Sequence, residues 1–351
     1  MVLRGFGGVS AITADGRWDA FIVSRQALAG LFIALAAHAA EPLPALHAAP
    51  DGITVSGVSS GGYMAVQVHV AHSARIAGVG VIAGGPYYCA QGSLFTALYN
   101  CMQPGLGTPV TAPALLKSET DALAAARAID STANLARSRA WLFTGTADHT
   151  VYPAVVQALR EFYAGYQAQV TFVADKPAGH GMVTDSKGSA CDVTESPFIV
   201  DCDYDAAGQL LGFLLGPLRP PAAKETGRLL SFDQTPYTDG DARGIAMDDV
   251  GYVYVPQRCA TEPCRIHVAF HGCRQGEAEI GERFVREAGY NRWADSNGLI
   301  VLYPQIVKRY SPFVFNPRGC WDWWGYTGTS YHTQAAPQIR AVMKMLDRLV
   351  E

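Results

Sequence analysis

The chain has 351 residues, of which 49% are hydrophobic and 17% are charged. This composition suits a large buried core, and it excludes a disordered chain and a small disulfide-stapled protein. The formal net charge is -4, with 27 Lys and Arg against 31 Asp and Glu, so the chain lacks the basic surface that a nucleic-acid partner requires. Length alone leaves one large α/β domain or two smaller ones open.

The first element along the chain is an apolar run at residues 26–40, QALAGLFIALAAHAA, which follows Arg25. The run is shorter than the roughly 20 apolar residues that span a bilayer, and it ends in small residues, so it indicates a secretory signal peptide. A buried helix is the alternative. Asp15 and Asp19 are not typical of a signal n-region, which leaves the true start of translation open. We expect residues 1–40 to be a signal peptide with an upstream extension, and the mature protein to be secreted or periplasmic.

From about Pro50 onward, short apolar runs typical of strands alternate with helical patterns. The predicted strands are Ile53–Val58, Gly78–Ala83, Ala140–Thr144, Val170–Ala174, Leu229–Gln234, Gly251–Pro256, Arg265–Phe270 and Leu299–Tyr303. The predicted helices are Gly61–Ala71, Ser118–Ala128, Pro153–Tyr163, Ala206–Leu214, Glu279–Ala294 and Thr333–Leu349. This alternation predicts a mostly parallel sheet flanked by helices. The Pro-rich stretch at 217–224 resembles a boundary, but further strands follow it, and we expect residues 41–351 to form a single domain.

The most specific motif lies at residues 57–61, Gly-Val-Ser-Ser-Gly, between a β-type run and a helical pattern. In the motif G-x-S-x-G the glycines permit a tight strand-to-helix turn that exposes the serine hydroxyl at the edge of a sheet. Ser59 is therefore the predicted nucleophile. Ser60 is not, because a motif centred there would need glycine in place of Val58.

A serine hydroxyl needs a base to accept its proton, and the base needs an acid to orient it. Asp148 follows the apolar run AWLFTG, and His180 lies between two glycines that would let its imidazole reach across the site. The order serine, acid, histidine is the order found in α/β hydrolases, so these two residues are the predicted acid and base. Asp175 and Asp185 are alternative acids and His149 is an alternative base, although their positions are more typical of solvated loop residues.

Backbone N–H groups must also stabilise the oxyanion of the transition state, and the residue after the nucleophile, Ser60, would supply one of them. A His-Gly-Cys turn at 271–273 follows the predicted strand Arg265–Phe270 and would supply the second. It lies roughly two hundred residues after the serine, whereas such a turn usually precedes it. Circular permutation is the simplest account, and the last helix would then pack beside the first strand. The alternative is a turn without a catalytic role.

All eight cysteines follow the predicted signal segment, and an even number in an oxidising compartment predicts four disulfides. Closing short loops costs the least entropy, which predicts the pairs 89–101, 191–202 and 259–264 and leaves 273–320 by elimination. The cysteines are Cys89, Cys101, Cys191, Cys202, Cys259, Cys264, Cys273 and Cys320. A metal site is not expected, because the spacings of zinc ligands do not occur and His69 and His72 have no third ligand nearby.

Four segments together resemble the poly(3-hydroxybutyrate) depolymerases, most closely their circularly permuted single-domain branch. They are GVSSGGYMAVQ at 57–67, FHGCRQG at 270–276, GLIVLYPQ at 298–305 and NPRGCWDWW at 316–324. The resemblance covers nearly all of the mature chain. It implies an α/β-hydrolase fold, ester hydrolysis by Ser59, His180 and Asp148, and an oxyanion hole from the backbone N–H groups of Ser60 and Cys273. It also implies that Cys273 is disulfide-bonded near the site.

Trp321, Trp323 and Trp324 lie beside Cys320 and are predicted to form flat apolar walls for a polyester chain, with Trp321 as the first candidate. Tryptophan is also a common core residue, so part of this cluster is expected inside the protein. The chain lacks the linker and separate substrate-binding domain of the multidomain secreted members. This difference favours amorphous granules or soluble oligomers as substrates over crystalline polymer.

We therefore expect a monomeric serine esterase that acts on poly(3-hydroxybutyrate) or related short-chain polyesters and needs neither a metal nor an organic cofactor. Fold and triad do not fix the acyl group, so an esterase for small or plant-derived aromatic esters, similar to a feruloyl esterase, is the alternative. A granule-binding protein without catalytic activity is the non-enzymatic alternative, and peptidase activity is a weaker one.

Overall fold

The strand-like runs of the sequence form an eight-stranded sheet at the centre of the molecule. The computed structural model describes residues 40–351, and the predicted signal segment lies outside them apart from Ala40. The strands are β1 (Ile53–Val58), β2 (Ile76–Ile82), β3 (Arg139–Gly145), β4 (Gln169–Lys176), β5 (Met182–Thr184), β6 (Ser189–Ala190), β7 (Ile199–Asp201), β8 (Arg228–Asp233), β9 (Val250–Val255), β10 (Arg265–Phe270), β11 (Leu299–Tyr303), β12 (Arg309–Tyr310) and β13 (Phe315–Asn316).

The central sheet has the strand order β4-β3-β2-β1-β10-β11-β9-β8. The first six of these strands run parallel, whereas β9 is antiparallel to both of its neighbours. Strand β1 lies between β2 and β10, and its register pairs Gly57 with Phe270. The carboxyl ends of β1 and β10 therefore meet at one edge of the sheet. This is the α/β-hydrolase architecture that the sequence predicts.

Helices cover the sheet, and the first of them, which follows β1 directly, has all twelve of its residues buried. The helices are α1 (Ser60–Ala71), α2 (Leu94–Asn100), α3 (Pro113–Ala125), α4 (Pro153–Ala164), α5 (Ala206–Leu215), α6 (Glu277–Ile280), α7 (Arg283–Glu287), α8 (Tyr290–Asn297) and α9 (Pro337–Val350). Helix α1 packs on β1 and β2, α4 on β3 and β4, α5 on β2 and β3, and α8 on β11.

Several elements differ from the sequence predictions. The single helix predicted at 279–294 is three short helices, because Gly281 and Gly289 adopt φ angles of 61° and 90° that interrupt it. Helix α9 begins at Pro337 instead of residue 333, since proline suits the first helical position, where its missing N–H is not needed. The small sheet β5-β7-β6 and the hairpin β12-β13 were not predicted, because strands of two or three residues are too short to show alternation.

The last helix ends beside the segment that leads into the first strand. The carbonyl oxygen of Leu349 accepts hydrogen bonds from the N–H groups of Leu46 and Ala48, at 3.3 and 3.0 Å. Strands β8 to β11, which come late in the chain, thus complete the sheet on the far side of β1. Circular permutation remains our interpretation of this order.

Four disulfides join the eight cysteines in the pairs expected from the sequence: 89–101, 191–202, 259–264 and 273–320. The last of these links the end of β10 to the segment after β13 across 47 residues of chain. Among the helices between residues 40 and 351, none has the length and apolar character needed to cross a membrane.

Candidate active site

Ser59 lies between β1 and α1 in a backbone conformation that non-glycine residues seldom adopt, with φ 56° and ψ -124°. The flanking glycines make this turn possible. A Cβ atom on Gly57 would lie 2.2 Å from the carbonyl oxygen of Gly61, so no side chain fits there. The strand and the helix on either side hold this strained backbone in place. The turn presents the hydroxyl of Ser59 at the edge of the sheet.

Ser59, His180 and Asp148 form one hydrogen-bonded line. Ser59 Oγ lies 2.8 Å from His180 Nε2, and His180 Nδ1 lies 2.8 Å from Asp148 Oδ2. Because an ionised carboxylate can only accept, His180 carries its proton on Nδ1 and leaves Nε2 free to accept the proton of Ser59. His180 and Asp148 are 7% and 1% exposed, so water competes little for these hydrogen bonds. The arrangement can activate a serine nucleophile.

Asp148 follows β3 and is held by its own turn. Its Oδ1 accepts hydrogen bonds from the backbone N–H groups of Thr150 and Val151, at 2.8 and 2.9 Å. With Oδ1 occupied in this way, Oδ2 is left to face His180. The two oxygens of the carboxylate therefore have separate partners, which fixes the orientation of the acid.

The glycines around His180 serve a different purpose from the one that the sequence suggested. Neither has a φ angle in the left-handed region. A Cβ on Gly179 would lie 2.8 Å from the carbonyl oxygens of Asp192 and Val193, and one on Gly181 would lie 2.7 Å from that of Phe198. The glycines are needed because the backbone at 192–198 packs tightly on the histidine loop. The glycines allow this close contact between the two backbone segments, whereas the sequence had led us to expect that they let the imidazole reach across the site.

The alternative acids and base from the sequence lie in exposed positions. Asp175 pairs with its neighbour Lys176 at 3.3 Å, and Asp185 accepts a hydrogen bond from Ser186 at 3.2 Å. The side chain of His149 is exposed. The buried line is formed by Asp148 and His180 instead.

The turn at 271–273 lies directly beside Ser59. A Cβ on Gly272 would be 3.2 Å from the Cβ of Ser59, and Cys273 lines the same cavity as Ser59 and His180. On the other side, Ser60 is the first residue of α1, where backbone N–H groups lack intrahelical partners and the helix dipole is positive. The two segments that the sequence predicts as oxyanion donors thus flank the serine.

The cavity beside Ser59 has a volume of about 480 Å³ and was only partly foreseen from the sequence. Its remaining walls come from separate loops and mix apolar with charged side chains. They include Met102, Thr194, Glu195, Phe198, Arg274 and Arg318. Arg274 and Arg318 lie in two of the segments that carry the family resemblance, whereas the other four follow no motif or periodicity that would identify them from the sequence.

The tryptophan prediction needs correction, because Trp321, Trp323 and Trp324 are not among the residues that line this cavity. Trp321 is fully buried, with its ring edge-on to Phe270 at 4.9 Å. Trp323 is 5% exposed and stacks on Tyr63 at 4.0 Å, and Trp324 is half-buried.

Trp321 supports the site from inside the protein. Its backbone N–H donates to Ser60 Oγ at 3.3 Å, and the preceding residue, Cys320, is bonded to Cys273. The segment at 320–321 therefore contacts both sides of the predicted oxyanion hole. The tryptophan is a core residue at this point and not a wall of the cavity.

A mostly parallel sheet that presents a strained serine to a buried histidine and carboxylate defines an α/β hydrolase. A poly(3-hydroxybutyrate) depolymerase of Delftia acidovorans is 42% identical over 342 residues, which cover 94% of this chain and 67% of the relative. A polyhydroxybutyrate depolymerase of Talaromyces funiculosus is 38% identical over 331 residues, covering 89% and 93%. The chain belongs to the poly(3-hydroxybutyrate) depolymerase family, and it is a carboxylic ester hydrolase.

Solved structures agree with this family. The crystal structure of the depolymerase from Penicillium funiculosum matches with a TM-score of 0.80 and 35% identity, covering 88% of this chain and 98% of that one. A serine-to-alanine depolymerase variant in complex with an R3HB trimer matches over the same shares, with a TM-score of 0.80 and 36% identity. No protein-family model matches the chain.

Proposed function

We propose that this protein cleaves poly(3-hydroxybutyrate), or a related polyester with short side chains, through an acyl-enzyme formed on Ser59. The observation that carries the proposal is the hydrogen-bonded line from Ser59 through His180 to Asp148 at the wall of an open cavity. The family supports the substrate class, since a similar structure holds an R3HB trimer.

Acylation begins when Ser59 Oγ attacks the carbonyl carbon of an ester in the polymer. His180 Nε2 takes the hydroxyl proton as the new bond forms, and Asp148 stabilises the resulting imidazolium. The carbonyl oxygen becomes an oxyanion that accepts hydrogen bonds from the backbone N–H groups of Ser60 and Cys273. The tetrahedral intermediate then collapses, and His180 gives its proton to the departing hydroxyl end of the chain.

Deacylation repeats these steps with water. His180 accepts a proton from a water molecule as that water attacks the acyl carbon, and the same N–H groups hold the second oxyanion. The bond to Ser59 Oγ breaks, and the serine recovers its proton from His180. The product leaves as a free carboxylic acid.

The proposal includes a location outside the cytoplasm, in the periplasm or the medium. Four disulfides support this, because such bonds persist in oxidising compartments. We further propose that residues 41–351 act as a single catalytic domain and as a monomer. Amorphous granules and soluble oligomers are its proposed substrates.

The nucleophile is tested with Ser59→Ala. The variant should fold normally and lose several orders of magnitude in kcat on a soluble ester, and a fluorophosphonate should label the parent protein but not the variant. Ser186→Ala is the matched control, because it makes the same substitution at an exposed loop position. Retained turnover in Ser59→Ala would exclude the mechanism.

The substrate is tested by incubating the purified mature protein with amorphous and crystalline polymer granules and identifying the soluble products. Clearing of amorphous granules with release of hydroxybutyrate oligomers or monomers is the expected result. Rapid cleavage of feruloyl or other aromatic esters without clearing would contradict the polyester assignment. Granule binding without phosphonate labelling would contradict catalysis altogether.

A further inference from the structure

Both polar backbone groups of Gly272, in the middle of the 271–273 turn, are held by buried side chains. The N–H of Gly272 donates to Gln275 Oε1 at 2.7 Å. Its carbonyl oxygen lies 2.7 Å from His271 Nδ1. His271 and Gln275 are 0% and 1% exposed, so these contacts are shielded from water.

The direction of the histidine contact follows from the other ring nitrogen. His271 Nε2 lies 3.2 Å from the backbone N–H of Ile306, which can only donate. Nε2 is therefore unprotonated, and Nδ1 carries the proton that it donates to the Gly272 carbonyl. Burial lowers the pKa of His271 to about 4, which keeps the ring neutral and this tautomer in place near neutral pH.

This contact also determines where the next N–H points. In a planar trans peptide, the carbonyl oxygen of one residue and the N–H of the next point in opposite directions. Because the Gly272 carbonyl faces the buried ring of His271, the N–H of Cys273 faces away from it. Cys273 lines the catalytic cavity, so the peptide plane between 272 and 273 decides whether this N–H can serve an oxyanion there.

Gln275 holds the same turn against the opposite wall of the cavity. Its Nε2 donates to the carbonyl oxygens of Pro197 and Phe198 at 3.1 and 2.8 Å, which forces Oε1 toward Gly272. Phe198 lines the cavity, and its carbonyl packs against Gly181, the residue after His180. The side chain of Gln275 thus joins the oxyanion turn to the loop that abuts the catalytic histidine.

We propose that Gln275 is a positioning residue for the Cys273 N–H that serves the oxyanion. Gln275 holds the N–H of Gly272, which belongs to the 271–272 peptide, while His271 holds the Gly272 carbonyl, which belongs to the 272–273 peptide. Together the two side chains fix the peptide planes on both sides of Gly272. The inference rests on the proposed function, because it assigns a role in the ester hydrolysis described above. Gln275 lines the catalytic cavity but is only 1% exposed, and its three hydrogen bonds go to backbone groups of Gly272, Pro197 and Phe198. It acts through the backbone of Gly272, and its loss should weaken transition-state stabilisation more than substrate binding.

The test uses Gln275→Met, which keeps the length of the side chain and removes all three hydrogen bonds. Gln275→Asn is the second variant, since its shorter amide cannot reach Gly272 and the carbonyls of 197 and 198 together. The matched control is Gln334→Met. Gln334 Nε2 donates to the Ala71 carbonyl and to Asp130 Oδ1, both at 2.9 Å. Ala71 ends helix α1, roughly 17 Å from the Ser60 end at 1.5 Å per residue.

Three quantities are measured on each folded variant: kcat and KM on a soluble ester, and the inhibition constant of a trifluoromethyl ketone. The ketone forms a hemiketal with Ser59 whose anionic oxygen occupies the oxyanion position. We expect Gln275→Met to lower kcat by about 10- to 100-fold with KM changed less than about threefold, and to weaken the ketone by a similar factor. Gln334→Met should leave all three within about twofold of the parent.

A kcat for Gln275→Met within twofold of the parent would overturn the proposal, and so would an equal loss in Gln334→Met. If Gln275→Met does not fold, Gln275→Asn is judged by the same criteria. Failure of both to fold would assign Gln275 to stability alone and also overturn it. These results are independent of Ser59→Ala and of phosphonate labelling, which test the proposed function itself.

Discussion

Gly61 and Phe270 are in direct backbone contact. A Cβ atom on Gly61 would lie 2.4 Å from the carbonyl oxygen of Phe270 and 2.4 Å from that of His271. Two segments separated by roughly two hundred residues of chain therefore meet with no room for a side chain between them. The elbow at Ser59 and the turn at 271–273, which we propose as an oxyanion donor, are therefore packed directly against each other.

Gly61→Ala should damage both stability and activity. The added methyl group overlaps two backbone oxygens, so the strand end or the elbow must move, and we expect the free energy of unfolding to fall by about 3 kcal/mol. The kcat should fall at least tenfold, because Ser59 and the 271–273 turn would separate. Denaturant unfolding and ester hydrolysis measure the two effects.

Gly212→Ala is the control for this substitution. Gly212 lies inside helix α5, and a Cβ there would meet nothing within 4 Å. Alanine is the better helix former by about 1 kcal/mol, so the control should be slightly more stable than the parent and equally active. Equal stability of the two variants would show that the contact at Gly61 is unimportant.

Asp148→Asn should inactivate the enzyme without unfolding it. Oδ1 accepts two backbone N–H groups, so the amide oxygen of asparagine takes that place and its NH₂ group faces His180. His180 Nδ1 must then accept a hydrogen bond from that NH₂ group, so the ring proton sits on Nε2 and the base that Ser59 needs is lost. We expect kcat to fall about 10³- to 10⁴-fold with a similar melting temperature. Steady-state kinetics and thermal unfolding measure both.

Asp185→Asn makes the same chemical change at the exposed alternative acid and should keep full activity. A large loss of kcat in this control, or near-normal kcat in Asp148→Asn, would contradict the assignment of Asp148 as the orienting acid.

Removing the disulfide between Cys273 and Cys320 should cost more than removing the one between Cys259 and Cys264. The loops they close differ in sequence separation, 47 residues against 5. Loop entropy then gives about 4 and about 2 kcal/mol of stability, respectively. The double alanine variant at 273 and 320 should also lose kcat at least tenfold, because the missing disulfide holds the 271–273 turn that we propose as an oxyanion donor. Kinetics and unfolding are compared at a temperature where both variants are folded. Equal kcat values for the two variants would show that the disulfide between Cys273 and Cys320 has no role in catalysis.

Acid should destabilise the protein through its buried histidines. Burial lowers the pKa of His69 and His267 to about 3, and that of His271 to about 4, from 6.5 for an unburied histidine. As pH falls below 6.5, these histidines take up protons in the unfolded chain but stay neutral in the folded chain, so the free energy of unfolding decreases from about pH 6.5 down to about 3. Above pH 6.5 this contribution is fully present.

The measurement is the slope of the free energy of unfolding against pH between 6 and 4. His69→Gln should reduce the slope by about one proton, because one group that differs between the two states has been removed. His149→Gln makes the same substitution at an exposed position and is the control for the effect of the substitution itself. An unchanged slope in His69→Gln would mean that this histidine is protonated inside the folded protein.

The positions of Ser59, Asp148 and His180 could be predicted because each follows a strand-like run, and the carboxyl ends of parallel strands share one edge of a sheet. The role of Trp321 could not be predicted in this way. Its burial depends on Phe270 and on the disulfide between its neighbour Cys320 and Cys273, and both Phe270 and Cys273 are distant from it in the chain. Sequence patterns report local periodicity, whereas burial depends on what the whole fold brings alongside.

The pairing of Leu349 with Leu46 and Ala48 has a practical consequence for handling this enzyme. That pairing lies at the amino end of β1, whereas Ser59 follows its carboxyl end, about 20 Å away along a six-residue strand at roughly 3.3 Å per residue. A bead, tag or fusion partner attached after Glu351 would thus hold the molecule on the side opposite Ser59. Immobilised in that orientation, the enzyme would expose the cavity beside Ser59 to a polymer film or particle.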